Sequence, residues 1–168
     1  MYDDASAGTE FEDLLTPTIG RQWAGGRPRP WRAASQFWVA FLGGVLAVTT
    51  IAWLNAGRLN VDSRRRRWIA IIGAAALGAN LAFWLRRPLS GDGFLRWAGG
   101  ASDIRLYSRI LGVVAYLAYA RLQRHEDRAY AYLAAPQYES LWKAGTIATV
   151  VLGPLQGVAL AGIAWLMK

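Results

Sequence analysis

The residues best suited to acid–base chemistry form one short cluster, Arg124-His125-Glu126-Asp127. A histidine beside carboxylates is able to act as a general base near neutral pH. Adjacent residues on a helix point in different directions, however, and no candidate nucleophile stands nearby in the sequence. We therefore expect no catalytic residue, and we keep a membrane enzyme that uses the His125 region as the third functional hypothesis.

Metal and cofactor ligands are scarce. The chain contains one histidine and no cysteine, which excludes disulfides, thiolate metal sites and a bis-histidine haem held by this chain alone. Neither a glycine-rich phosphate loop nor a zinc motif is present. The sequence therefore predicts no bound metal and no cofactor.

The apolar segments contain no acidic side chain. An acid within the membrane is the usual mark of a proton or ion pathway, and the four apolar segments contain no Asp or Glu. The amides Asn80 and Gln156 are expected to hydrogen-bond between helices two and four. This interpretation is simpler than a substrate site, which stays as the alternative.

Four apolar segments, separated by arginine-rich connections, determine the predicted fold class. The expected spans are residues 35–54, 68–85, 106–122 and 144–167, the last being 24 residues without a charge. About 20 apolar residues cross a bilayer core of about 30 Å. The sequence predicts an all-α integral membrane bundle of four transmembrane helices over residues 35–168, after an extended polar N-terminal tail over residues 1–34.

The third span is the least apolar of the four. Only 11 residues separate Arg109 from Arg121, so a crossing helix has to start near Leu106, with Arg109 extending its side chain to the headgroups. An interfacial helix that lies on the membrane surface is the alternative. We favour the crossing helix because Gly112 and Ala115 offer a strip of small residues to neighbouring helices.

Small residues mark the positions where membrane helices are expected to approach closely. In the last span they recur at every fourth position, and Gly153 and Gly157 form a GxxxG step. Pro154, which lacks a backbone N–H, is expected to kink this helix. The predicted helix-packing positions are Gly43, Gly44, Ala74, Gly78, Gly145, Thr149, Gly153, Gly157 and Ala161.

The net charge of +8 comes from basic residues that flank the apolar segments. Attraction to anionic lipid headgroups explains this placement more simply than nucleic-acid binding does. The acidic start of the chain lacks the features of a signal peptide. The predicted lipid-anchoring residues are Trp31, Arg32, Arg64, Arg65, Arg66, Arg67, Arg86 and Arg87.

Charge does not decide the orientation in the membrane. With four crossings the basic residues divide 10 against 9 between the two sides, which the positive-inside rule does not separate. If the third span lies on the surface, the division is 13 against 6 and the N-terminus is cytoplasmic.

The run Phe41-Leu42-Gly43-Gly44-Val45-Leu46-Ala47, followed by Asn55 and Arg58-Leu59, resembles a group of small bacterial membrane proteins. That group carries a Phe-Leu-Gly-Gly-Pro-Leu-Ala run before an Asn and a basic-Leu exit, and Val45 stands here in place of the proline. The segments Tyr119-Ala120-Arg121-Leu122-Gln123 and Leu141-Trp142-Lys143 are similar to the group's third exit and fourth entry. The resemblance implies four helices and a bacterial origin, and it implies no function.

Together these features predict a non-catalytic, multi-pass protein of the bacterial inner (plasma) membrane. We expect an accessory or assembly subunit of a larger membrane complex, for example a respiratory or photosynthetic one. The expected partners are membrane lipids, including anionic lipids, and other membrane subunits, with no nucleic acid. The alternative is a small oligomeric channel or transporter built around Asn80 and Gln156.

Overall fold

The computed structural model describes residues 28–86, 102–133 and 138–167, and this part of the chain is helical without a strand. A 3-10 turn at Ala33–Ser35 leads into α1 (Gln36–Arg58), which is followed by α2 (Ser63–Leu85) and α3 (Ser102–Leu133). α4 (Trp142–Ile147) continues through a π-helical turn at Ala148–Leu152 into α5 (Gly153–Leu166), and these three pieces together are the C-terminal helix. The all-helical prediction is confirmed for the described residues.

Three helical stretches are long and apolar enough to cross a membrane, judged by length and composition. They are Ala33–Arg58, Ser63–Leu85 and Trp142–Ile163. The fold is therefore compatible with a membrane protein, as the sequence predicts. The third expected span lies inside α3, which begins before it and continues beyond it to Leu133.

α1 reverses its direction at Gly44, where φ is +74° and ψ is −164°. Only glycine adopts this conformation readily. The backbone N–H of Trp31 donates to Oδ1 of Asn55 at 2.8 Å. A straight helix would separate Gln36 from Asn55 by about 28 Å, and the chain from Trp31 to Gln36 extends at most about 18 Å. α1 is therefore a helical hairpin.

The hairpin has an N-terminal limb (residues 36–43), an apex at Gly44 and a C-terminal limb (residues 45–58). We call the end where Trp31 meets Asn55 the base. This differs from the expected single span over residues 35–54. Length and apolarity are the same for a straight helix and for a hairpin of the same residues, so hydropathy does not distinguish them.

α3 lies lengthwise against α2 in the antiparallel direction. Three contacts between the two helices follow one another along their lengths: Arg65 with Glu126, Gly73 with the Tyr119 hydroxyl, and Asn80 with Ser108. α3 also packs along the C-terminal limb of the hairpin, where Tyr119 and Thr49 share a hydrogen bond of 2.8 Å. Because its neighbours contact it over most of its length, α3 is an integral part of the bundle.

The C-terminal helix departs from α geometry just before its proline. Pro154 has no N–H to donate to the Val150 carbonyl, and the turn at Ala148–Leu152 is π-helical. The predicted irregularity at Gly153-Pro154 is therefore present as a wide turn. It lies where this helix contacts the N-terminal limb, since a Cβ on Gly153 would lie 3.5 Å from the Gly43 carbonyl oxygen.

Candidate functional site

A closed chain of hydrogen bonds ties the base of the hairpin to α3. Asn55 Oδ1 accepts from the Trp31 N–H at 2.8 Å, and Asn55 Nδ2 donates to Gln123 Oε1 at 3.0 Å. Gln123 Nε2 then donates to the Ala52 carbonyl at 2.8 Å. Both amide side chains are at most 1% exposed, and each of their four polar atoms is paired, so these two side chains meet the demand of buried polar groups for partners.

A charged clamp closes over this network. The Arg58 guanidinium lies 3.7 Å from the centre of the Trp31 ring, donates to the Arg29 carbonyl at 2.7 Å and pairs with Glu139. The Glu139 N–H donates to the Pro30 carbonyl at 3.1 Å. Trp31 is consequently only 3% exposed. The sequence predicts that Trp31 anchors the chain in lipid headgroups, and in the structure its ring is covered by the protein itself.

The acid–base cluster of the sequence does not assemble into a site. His125 is exposed, the Glu126 carboxylate accepts from Arg65 at 2.6 Å, and the Asp127 carboxylate accepts from the Tyr138 hydroxyl at 3.3 Å. The three side chains thus have separate surroundings, as expected for consecutive residues on a helix.

The pKa values of Asp127 and Tyr138, which share a hydrogen bond, are both raised. Burial raises the pKa of the Asp127 carboxyl, and the Tyr138 hydrogen bond and the nearby Arg32 charge oppose this change. Burial, together with the charge of Asp127, raises the pKa of Tyr138 to about 12. The Tyr138 hydroxyl therefore stays a hydrogen-bond donor across the physiological pH range.

The other predicted lipid-anchoring residues lie mostly on the exterior. Arg32, Arg64, Arg65, Arg67 and Arg86 are exposed, and Arg66 stacks at 4.3 Å on the Trp53 ring. Arg65 also lines a groove of about 510 Å³ with Arg121, Arg124 and Arg128. Arg87 lies outside the described residues.

A second polar network lies at the apex. The break at Gly44 leaves N–H groups of the C-terminal limb without helical partners, and the Leu46 N–H donates to Gln156 Oε1 at 2.7 Å. Gln156 Nε2 donates to Ser108 Oγ at 3.3 Å, and Asn80 Nδ2 donates to the same oxygen at 3.1 Å. Asn80 and Gln156 are thus joined through α3.

Ser108 is the member of this network that sequence reasoning missed. A serine in a mostly apolar helix is too common to mark a site by itself. The sequence signal near Ser108 is Gly112, about one turn further along α3, which belongs to the strip of small residues expected to face neighbouring helices. In the structure, a Cβ on Gly112 would lie 2.7 Å from the Ala40 carbonyl oxygen. Ser108 therefore lies where α3 comes closest to the apex.

One atom of the apex network has no partner. Asn80 is fully buried, and its Oδ1 accepts no hydrogen bond in the described part of the chain. Unpaired buried oxygens occur also on Glu126, and unpaired buried nitrogens on Trp31, Gln36 and Arg66. Among these residues only Asn80 lines the apex cavity. Leaving such an oxygen without a donor costs about 1–3 kcal/mol.

The apex cavity has a volume of about 430 Å³ and lies between the hairpin apex, α2, α3 and the C-terminal helix. Its polar lining comes from Gly44, Asn80, Ser108, Gln156, Arg105 and Arg109, and its apolar lining includes Leu42, Trp84, Val150, Pro154 and Leu160. The Arg109 guanidinium lies 5.1 Å from the centre of the Phe41 ring. Arg109 was expected to extend to the headgroups, and the structure places it in the wall of this cavity.

The predicted packing positions divide into two groups. Those of the hairpin and the C-terminal helix lie at contacts within the chain: a Cβ on Gly145 would lie 3.0 Å from Val39, and one on Gly43 would lie 3.0 Å from Thr149. Gly153 adjoins Gly43, Gly157 is buried at the cavity, and Ala161 packs beside Trp84 and Leu160. Ala74 and Gly78, on α2, are exposed instead, and no atom of another described element lies within 4 Å of a Cβ on Gly78.

No protein-family model, curated protein or solved structure matches the chain. The resemblance to small bacterial membrane proteins stays a prediction. Function has to be argued from the contacts described above.

Proposed function

We propose that the protein is a non-catalytic integral membrane protein of the bacterial inner membrane, an accessory or assembly subunit of a larger membrane complex. The observation that carries this proposal is the exposed small-residue face of α2, formed by Ala70, Ala74 and Gly78. Small residues let helix backbones approach closely and are enriched where membrane helices meet. Since no described helix of this chain covers that face, a helix of a partner subunit is the occupant it suits.

The exterior of the bundle supports its place in a membrane. Only 22% of the most apolar stretch of α2 is buried, and the same share holds for the C-terminal helix. Large side chains such as Trp68, Ile71 and Val150 are exposed. A surface of this kind suits lipid tails and neighbouring membrane helices better than water.

The topology that fits these contacts has three crossing helices and one re-entrant hairpin. α2 and the C-terminal helix meet the length and apolarity of a span, and α3 accompanies α2 over most of its length. The hairpin enters and leaves at the base. Broken helices occur at membrane depth where protein or a cavity surrounds the break, as here.

In this topology most of the described basic residues lie at one end of the bundle. At the base lie Arg29, Arg32, Arg58, Arg64, Arg65, Arg66, Arg67, Arg121, Arg124, Arg128 and Lys143. Towards the other end, the described basic residues are Arg86, Arg105 and Arg109. The positive-inside rule then assigns the base to the cytoplasm and the opening of the apex cavity to the opposite side.

Site-directed labelling tests the crossing of α3. The chain contains no cysteine, so single cysteines report one position each. Arg86→Cys precedes α3 and Ser140→Cys follows it, and both residues are exposed. They should react with an impermeant reagent from opposite faces of the membrane. Reaction from the same face would instead favour the surface helix.

Purification in mild detergent tests the subunit role. The wild-type chain should co-purify with a stoichiometric membrane partner, and Gly78→Leu should lower the recovered partner about tenfold, since overpacking costs about 1–3 kcal/mol. Gly162→Leu is the matched control, because Gly162 is also exposed with open space around it but has larger residues one turn away. Equal recovery with Gly78→Leu would contradict the proposal.

The second candidate is a small oligomeric channel or transporter. The specific observation in its favour is a broken helix next to a polar cavity, an arrangement that membrane transporters use for substrate sites. A homo-oligomer after purification, with solute flux in vesicles that Gln156→Leu abolishes, would support this candidate. A monomeric chain without flux would exclude it.

A further inference from the structure

We propose that the apex cavity binds a phosphate ester that carries a neighbouring hydroxyl group, the chemistry shared by a glycerol-type lipid headgroup and a soluble polyol phosphate. This site goes beyond the role as a subunit. It rests on three features of the cavity wall: two arginines that form no ion pair with a described residue, a buried oxygen that accepts from none of the described donors, and the start of a helical limb.

The arginines supply the positive charge. Arg105 and Arg109 line the cavity, and neither forms an ion pair with a described residue. Among the described residues, the Arg109 charge lies over the face of the Phe41 ring. For Arg109, which is half-buried, a charge beside apolar walls is costly without a counter-ion, whereas Arg105 is exposed. The planar fork of donors on each guanidinium matches phosphate oxygens. An anionic group in the cavity would offset that cost.

The unpaired oxygen of Asn80 specifies the second group. Asn80 Nδ2 and Gln156 Nε2 already donate to Ser108, and Gln156 Oε1 is occupied by the Leu46 N–H. Asn80 Oδ1, which is buried, is therefore the oxygen of these two amides that has no donor among the described residues. A phosphodiester oxygen has no proton to give it at neutral pH, and a phosphate monoester is largely deprotonated there. A hydroxyl group on the same ligand donates to it.

The broken helix favours the same ligand. The C-terminal limb begins directly after Gly44, which lines the cavity, so the positive end of its dipole lies at the cavity wall. The volume of about 430 Å³ lies within the range of small-molecule sites. Trp84, Val150 and Leu160 provide an apolar wall for the carbon part of the ligand.

Thermal unfolding and ligand titration of the full chain in non-ionic micelles test the site. Phosphatidylglycerol should raise the melting temperature, and zwitterionic phosphatidylcholine should not. Arg109→Gln and Arg105→Gln should each weaken the apparent affinity for phosphatidylglycerol about tenfold, the loss expected for a charge-assisted hydrogen bond. Arg86→Gln is the control, since Arg86 is exposed and does not line the cavity. Unchanged affinity in both cavity variants would overturn the proposal.

Phosphatidylmethanol, which has the phosphate charge but no free headgroup hydroxyl, isolates the role of Asn80. The wild type should bind it about tenfold more weakly than phosphatidylglycerol, and Asn80→Leu should remove this preference. If Asn80→Leu does not fold, Asn80→Asp keeps the shape and an acceptor, and the Ser108 hydroxyl has to donate to it in place of the present bond. Its carboxylate should weaken the binding of both lipids by repelling the phosphate, while the preference for phosphatidylglycerol remains. An equal affinity of the wild type for the two lipids would overturn the hydroxyl assignment.

Glycerol phosphate in solution separates the two sources of the ligand. Stabilisation by phosphatidylglycerol alone identifies a lipid site, and stabilisation by glycerol phosphate as well shows that the headgroup suffices. Stabilisation by neither overturns the proposal. Because partner recovery is measured with Gly78→Leu on the other side of α2, failure of the ligand site leaves the test of the subunit role unaffected.

Discussion

The hydrogen-bond networks at the base and at the apex of the α1 hairpin contain the same residue types but differ in how completely their amide atoms are paired. Each network contains one asparagine and one glutamine, and one of its amide oxygens accepts a hydrogen bond from a backbone N–H. The donor is Trp31 at the base and Leu46 at the apex. At the base, all four polar atoms of Asn55 and Gln123 have partners. At the apex, Asn80 Oδ1 has no partner in the described part of the chain, and Asn80 lines a cavity with two arginines.

The difference separates a structural network from a candidate binding network. A closed network stabilises one arrangement of the chain, because breaking any bond in it leaves a buried group unpaired. An open network keeps capacity for a ligand. We infer that the base determines the topology of the hairpin and that the apex is available for function.

Labelling at the two ends of α1 should give the largest effect, because a hairpin places both ends on one face of the membrane and a straight span places them on opposite faces. Arg29→Cys and Ser63→Cys, before and after α1, should react from the same face of the membrane because both lie at the base. Arg86→Cys should react from the opposite face. A straight span would place Arg29→Cys and Ser63→Cys on opposite faces, and that result would remove the distinction between base and apex.

Asn55→Leu should be the most destabilising substitution. It leaves the buried Trp31 N–H without an acceptor and Gln123 Oε1 without a donor, and two such groups cost about 2–4 kcal/mol together. The free energy of unfolding is measured by denaturing-detergent titration in micelles. The control Thr50→Val removes a bond within one helix and should cost less than about 1 kcal/mol. Equal losses would show that the base network does not stabilise the hairpin.

Gly44→Ala should cost about 1–3 kcal/mol, because φ of +74° with ψ of −164° strains any residue with a Cβ. The same titration measures it. In a straight helix this change would stabilise the chain by about 1 kcal/mol, so the sign alone tests the reversal. Gly78→Ala, in the open middle of α2, is the matched control and should not destabilise.

Asn80→Leu, without any phosphate ligand present, should have the smallest effect, less than about 1 kcal/mol. It loses the bond to Ser108 but also removes the unpaired oxygen, and the two changes partly cancel. The measurement is made in micelles free of phospholipid. A loss as large as that of Asn55→Leu would mean that the apex, like the base, is a purely structural network.

The sequence alone determined where the apolar segments, the basic residues that flank them and the small residues lie along the chain. Long apolar segments, basic flanks and repeated small residues predict membrane-compatible helices, because each of these signals lies within a single helix. The helices over 63–85, 102–133 and 142–166 follow the predicted order of segments. Asn80 and Gln156 were singled out for the same reason, as polar residues within apolar segments.

Only the tertiary structure decided how these helices are arranged around the hairpin. The reversal at Gly44 depends on the contact of Trp31 with Asn55, and that contact in turn depends on Gln123, far away in the sequence. Hydropathy along a segment carries no information on such partners. The burial of Trp31, the role of Ser108 and the place of Arg109 in a cavity wall likewise follow from which helices meet. A straight α1 and an α1 that reverses at Gly44 have the same hydropathy, and the long-range hydrogen bonds at the base stabilise the reversed form.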